Sequence, residues 1–138
     1  VSDDDGTAMI EFVWLAVLVM VPLVYVLLCA FEVQRTSFAV TEGARQAGRA
    51  YATAGDVGSA QARAQEGADL ALSDQGIAGP ADLTVACSGP CLANGTTVSI
   101  TVRHTVRLPV LSLLGPLSPA IPVTATHDEV VDAFQADR

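Results

Sequence analysis

Glu11 is a carboxylate set one position before twenty uncharged residues, FVWLAVLVMVPLVYVLLCAF, Phe12–Phe31. A charge in hydrocarbon costs about 2.5–3.5 kcal/mol at mid-bilayer and less near the interface, so it persists where something compensates it. Either a partner cation or interfacial water reached by snorkelling would do so. The second reactive group is the pair Cys87 and Cys91, which enclose Ser-Gly-Pro. Two thiols at that spacing across a tight turn can close a local disulfide, which suits an oxidising compartment. Two free thiols in a loop is the other reading. The remaining cysteine, Cys29, lies inside the apolar run and reads as a small buried hydrophobe.

Other constellations point away from catalysis. His104 falls on the apolar side of an alternating segment and reads as a hydrogen-bonded core histidine. His127 sits beside Asp128 and Glu129 without a third ligand nearby, and two cysteines supply only half of a zinc shell. The serines lack a G-x-S-x-G setting, and no Walker or dinucleotide loop is present. The expectation is therefore a chain with no catalytic residues, no metal site and no cofactor.

Composition narrows the class further. The chain has 138 residues, is 51% hydrophobic and carries a net charge of −8. All seven basic residues are arginine. Arg45, Arg49 and Arg63 are interspersed with Glu42, Glu66 and Asp69, a pattern of a solvated helix face rather than the basic stripe that nucleic acid requires. Outside the apolar run the sequence is rich in Ala, Gly, Thr and Val, enough for a small core only.

Twenty apolar residues match the thickness of a bilayer as a helix. The acidic flank VSDDDG, the length of the run and the poor cleavage site CAFEV argue against a secretory signal peptide. The run is expected to stay on the chain as a transmembrane helix. Orientation signals conflict. Arg35, Arg45 and Arg49 follow the span and favour a cytoplasmic C-terminal part. The cysteine pair and the Thr-rich strands favour an extracytoplasmic one, a conflict that dissolves if a basic leader precedes Val1.

The elements that would carry these groups follow from periodicity. Beyond Glu32, apolar residues recur at Val33, Val40, Ala44, Ala47, Tyr51 and Ala54, one face of a continued helix. Gly55-Asp56 punctuates, and a second helix presents Val57, Ala60, Ala64, Ala68 and Ala71 until Ser73–Pro80 closes it. The period then changes to two. In Thr97–Leu108, Val98, Ile100, Val102, His104, Val106 and Leu108 form one side and Thr, Ser and Arg the other. Asp82–Cys87 is a partner strand, and Asn94-Gly95 marks a turn. Ala120–Val130 is a third strand, at an edge because Pro122 cannot donate to a ladder. Pro109–Pro119 reads as an apolar crossover loop and an interface candidate. The fold class is α+β: a long hydrophobic N-terminal helix continuing into a stalk, a second helix, and a small antiparallel sheet of about three strands. The expected divisions are 1–6 as a leader remnant, 7–54 as span and stalk, 55–79 as the second helix and 80–138 as a small β domain.

This layout, with Gly6, Glu11 and Phe12 opening an apolar run that contains Pro22, resembles bacterial pilin-like proteins of the TadE family, which belong to the tight-adherence pilus and secretion system. The segment TEGARQAGRAYA, Thr41–Ala52, and the closing VTATHDEVV add to the likeness. It covers most of the chain in layout, and residues 6–12 and 41–52 at motif level. The resemblance implies a prepilin cut by a prepilin peptidase between Gly6 and Thr7, which makes Glu11 the fifth residue of the mature chain. Glu11 would then meet the new Thr7 amine of a neighbouring subunit and act as a register key. Pro22 removes a hydrogen bond to the Leu18 carbonyl, which allows a bend for packing in a filament, although membrane helices also tolerate proline.

The implied partners are the membrane, other copies or other pilin subunits, the prepilin peptidase, an assembly ATPase and a membrane platform; nucleic acid is not indicated. The implied location is the cell membrane, single-pass, with the C-terminal domain extracytoplasmic and then in a surface pilus. The sequence departs from the family pattern in carrying the acidic stretch Val1–Gly6, without the basic residues of a typical leader, which reads either as an unprocessed or truncated precursor or as a chain that is not cleaved. The competing reading is a single-pass anchored extracytoplasmic binding protein that does not assemble.

Overall fold

The helix begun by the apolar run continues well past it. In the computed structural model, which describes residues 4–107 and 120–132 with side chains from residue 8, α1 runs unbroken through Asp4–Ala52, 49 residues with Pro22 inside. At about 1.5 Å per residue it is about 73 Å long. Asp4–Gly6 belong to this helix, so no change of secondary structure marks the boundary between residues 6 and 7.

A short turn leads into α2, Val57–Asp74. Asp56 starts it as the N-cap, its carboxylate accepting from the Ser59 amide at 2.9 Å and from the Ser59 hydroxyl at 2.6 Å. These bonds satisfy an amide that the helix itself leaves unpaired. They also hold the Asp56 carboxyl below the usual carboxylate range, the Ser59 hydroxyl contributing most. At the other end Gly76 takes φ +68°. The Gly76 amide donates to the Ser73 carbonyl at 2.8 Å and the Ile77 amide to the Leu72 carbonyl at 3.0 Å, the two bonds of a Schellman cap. Ile77 thereby turns inward beside Leu72, and both are buried.

The sheet is an antiparallel meander of β1, Asp82–Cys87, β2, Thr97–Arg107, and β3, Ala120–Val130, in the order β1-β2-β3. Pro122 does lie on an edge strand. Because β2 and β3 are hydrogen-bonded neighbours, their connection joins two strands of a hairpin and needs no crossover. The apolar Pro109–Pro119 stretch itself lies outside the described residues. The register sets Thr84, Thr101 and Thr126 in one row across the solvent face, with the Thr101 and Thr126 hydroxyls 3.0 Å apart. Ser99 donates to Asp128 on the same face.

The C-terminal half of α1 is packed on two sides. Toward α2 it presents Gly43, where an added Cβ would lie 3.5 Å from the Ala68 carbonyl oxygen. Toward the sheet it presents Gly48, where a Cβ would lie 3.2 Å from His127 Cδ2 and 3.9 Å from Ile100. Five positions at about 100° each place these two glycines on nearly opposite sides. Around them Ala39, Val40, Ala44, Ala47 and Tyr51 join Ala60, Ala64, Ala68 and Leu72 of α2 and Val98, Ile100 and Val102 of β2 in one core. Small side chains let backbones come close, so a domain with few large residues still excludes water. Val57, expected on the packed face of α2, is instead 51% exposed, because it begins the helix beyond the end of α1. A polar clamp ties α2 to the sheet: the Ala81 backbone amide donates to the Asp69 carboxylate at 2.7 Å, and the Gln65 side-chain Nε2 donates to the Ala81 carbonyl at 3.0 Å.

Candidate functional site

The two halves of α1 live in different surroundings. From Met9 to Phe31 its large apolar side chains stand uncovered, with Phe12 71%, Trp14 69% and Phe31 64% exposed. The apolar window has a mean hydropathy of 2.7 and none of it is buried in the protein. By length and composition this part of the helix can cross a membrane. Glu11 is exposed near the start of that surface and makes no ion pair among the described residues. Thr7 precedes it by four positions, about one turn, on the same helix. Phe12 follows Glu11 directly, and Pro22 lies near the middle of the apolar stretch.

Phe38 is a residue that sequence reasoning missed. It stands 73% exposed, seven positions beyond Phe31 and so on the same face. Phe38 thus adds an exposed aromatic above Phe31 on that side, with exposed Gln34 and Arg35 between them. The available signal was its position off the Val40-Ala44-Ala47 face, where a large aromatic has no core to enter.

Cys87 and Cys91 are joined by a disulfide, with their Cα atoms 5.5 Å apart. The bond lies at the end of the sheet away from the apolar half of α1. Nearby, the Ser88 amide donates to the Thr97 carbonyl at 3.0 Å and the Gly95 amide to the Val131 carbonyl at 3.0 Å. The closed loop thus finishes the distal end of the sheet. Cys29 is a free thiol, partly covered on α1; its burial as expected from sequence is incomplete, because among the described residues no other element packs over this part of the helix.

The two histidines are not brought together. His127 Nε2 lies 3.1 Å from Glu129 Oε2, both half-buried under α1 beside Gly48. His104 is half-exposed and makes no hydrogen bond among the described residues, unlike the hydrogen-bonded core histidine expected. It lies toward the end of β2 nearest Glu32, in the wall of an open cavity of about 730 Å³ where water can reach its ring. Arg35, Arg103 and Arg107 line the same cavity with Glu32 and Asp82. Among the described residues, no group of three or more His, Cys, Asp or Glu is placed to hold a metal ion.

The arrangement is thus a bare apolar rod rising into a small α+β head, with a carboxylate near the start of the rod and an arginine-lined cavity at its neck. Comparison with known proteins finds no family model, no curated protein and no solved structure that matches the chain.

Proposed function

We propose that this chain is a TadE-like pilin subunit of a tight-adherence or type IV-type pilus or secretion pseudopilus, built to assemble rather than to catalyse. The observation that carries the reading is the division of α1: one continuous helix, apolar and uncovered over Met9–Phe31 and embedded in a folded head over its second half. Such a helix resides in the bilayer as a monomer and can exchange lipid for neighbouring helices in a filament, since both bury the same surface. The exposed Phe38 adds support, because an aromatic beyond the end of the span gains from a neighbouring subunit and not from lipid tails.

Cleavage between Gly6 and Thr7 would free an α-amine one helical turn from Glu11. A neighbour's amine against Glu11 offsets the cost of taking that carboxylate out of water only when the helices are in axial register. Assembly would then place the head, with its disulfide, outside the cytoplasmic membrane.

The test is the mass of the native N-terminus, measured on membranes and on sheared surface filaments. A chain beginning at Thr7 and present in filaments is the expected result. A chain that keeps Gly6 and occurs only in membranes overturns the proposal and leaves the anchored binding protein. Glu11→Leu is expected to be processed yet to fail in assembly; normal filaments from that variant would remove the register role.

A further inference from the structure

The cavity at the neck of the molecule has a charge and a depth that suit one class of ligand. Glu32 follows Phe31 directly, and Arg35 comes four positions after Phe31, about 6 Å along the axis. That is headgroup depth for a bilayer whose hydrocarbon ends at Phe31, because headgroup regions add about 5–8 Å on each side. The sheet brings Arg103, His104 and Arg107 into the wall of the same cavity, with Arg107 at the end of β2 and Arg103 about 13 Å farther along the strand. Three guanidinium groups and an imidazole therefore line the same cavity as two carboxylates, in a chain whose net charge is −8. One carboxylate is already engaged: Arg35 holds Glu32 at 2.7 Å. Arg103 and Arg107 have no hydrogen-bond or ion-pair partner among the described residues, although Asp82 pairs with Arg103 in the strand register. Their forked donors match phosphate oxygens.

From this geometry we infer that the neck cavity binds the phosphate of an anionic phospholipid headgroup, with Arg103 and Arg107 as the ligating side chains. The inference rests on the reading of Phe12–Phe31 as a membrane span. A lipid held there would fix the height of the head above the bilayer and screen the like charges of the two arginines. It would have to leave, or move with the subunit, when the helix exchanges lipid for protein neighbours.

The test uses the full chain in phosphatidylcholine vesicles carrying either spin-labelled phosphatidylglycerol or spin-labelled phosphatidylcholine. The readout is the motionally restricted fraction of each label. The native chain is expected to restrict phosphatidylglycerol preferentially. Arg103→Gln with Arg107→Gln should abolish that preference, Arg103→Lys with Arg107→Lys should retain much of it, and Arg45→Gln with Arg49→Gln should leave it unchanged. Equal restriction of both labels by the native chain, or equal loss in the Arg45/Arg49 variant, overturns the assignment. Loss of the preference on adding excess inorganic phosphate reassigns the cavity to free phosphate and overturns the lipid reading. Trp14, the single tryptophan, reports the span separately from the far end of the helix. Emission that stays at its water-exposed wavelength in vesicles refutes the span itself. Shifted emission without headgroup preference refutes only the lipid site.

Discussion

A close approach between the α1 and α2 backbones makes opposite predictions for two substitutions at one position. A Cβ placed on Gly67 would lie 3.5 Å from the Gln46 carbonyl carbon and 3.6 Å from the Ala47 amide nitrogen. Those are ordinary contact distances, so Gly67→Ala fits without movement. Alanine is favoured over glycine in a helix by about 0.8–1 kcal/mol, and the new methyl fills a surface against the α1 backbone. The expected gain is about 1 kcal/mol. Gly67→Leu adds three more carbons where a rigid main chain already stands, and overpacking of that kind costs about 1–3 kcal/mol. The assay is urea denaturation of the full chain in nonionic detergent, followed by hydrogen exchange of α2 and β2 amides. Those amides report the head and ignore the micelle-held half of α1. With a slope of about 1–3 kcal/mol per molar urea, a change of 1 kcal/mol moves the midpoint by about 0.3–1 M. The alanine variant should rise by that amount and the leucine variant should fall by at least as much. A lower midpoint for Gly67→Ala, or a native one for Gly67→Leu, would refute backbone-to-backbone packing here.

Ile100→Ala empties a fully buried site at the centre of the sheet and should cost about 2–5 kcal/mol in the same assay, while Thr105→Ala on the exposed face should stay within about 0.5 kcal/mol. Gly76→Ala forces a side chain into the left-handed region at φ +68° and should destabilise the head by about 1–2 kcal/mol, seen first as faster exchange at the end of α2. Asp56 has a folded pKa below its unfolded value, so its cap is fully effective above the ordinary carboxylate range and is lost as pH falls through the lowered value. Stability should decline on acidification below about pH 4. Asp56→Asn keeps a capping oxygen and should flatten that decline, measured as the urea midpoint against pH.

Much of this architecture was legible because its forces are local. The Val40-Ala44-Ala47-Tyr51 face follows the helical period, and it is the face that packs. The alternation of Val98, Ile100 and Val102 with Thr97, Ser99 and Thr101 reads directly as a one-sided strand, and those three apolar residues are fully buried. Asp56 starts α2 through its side-chain cap, and Gly76 helps to stop it through its left-handed backbone. What escaped was tertiary. Val57 has the right spacing for the packed face, but α1 ends at Ala52, short of the position that would cover it. The meeting of Arg35 with Arg103 and Arg107 depends on how far along α1 the sheet is docked, which no local pattern encodes. His104 likewise sits on the apolar side of its strand, yet near the end of the sheet where cover runs out.

The single helix shared by rod and head has a mechanical consequence. No linker separates the two, so the head is bolted to the end of a stiff lever. Phe31–Ala52 is 22 residues of unbroken helix, about 31 Å of lever arm from first to last. Re-tilting the rod by about 10° therefore sweeps the far end of the head sideways by about 5 Å. Any torque or tension applied to one end is transmitted along the backbone hydrogen-bond ladder rather than absorbed by a loop, and Pro22 is where that ladder lacks a rung.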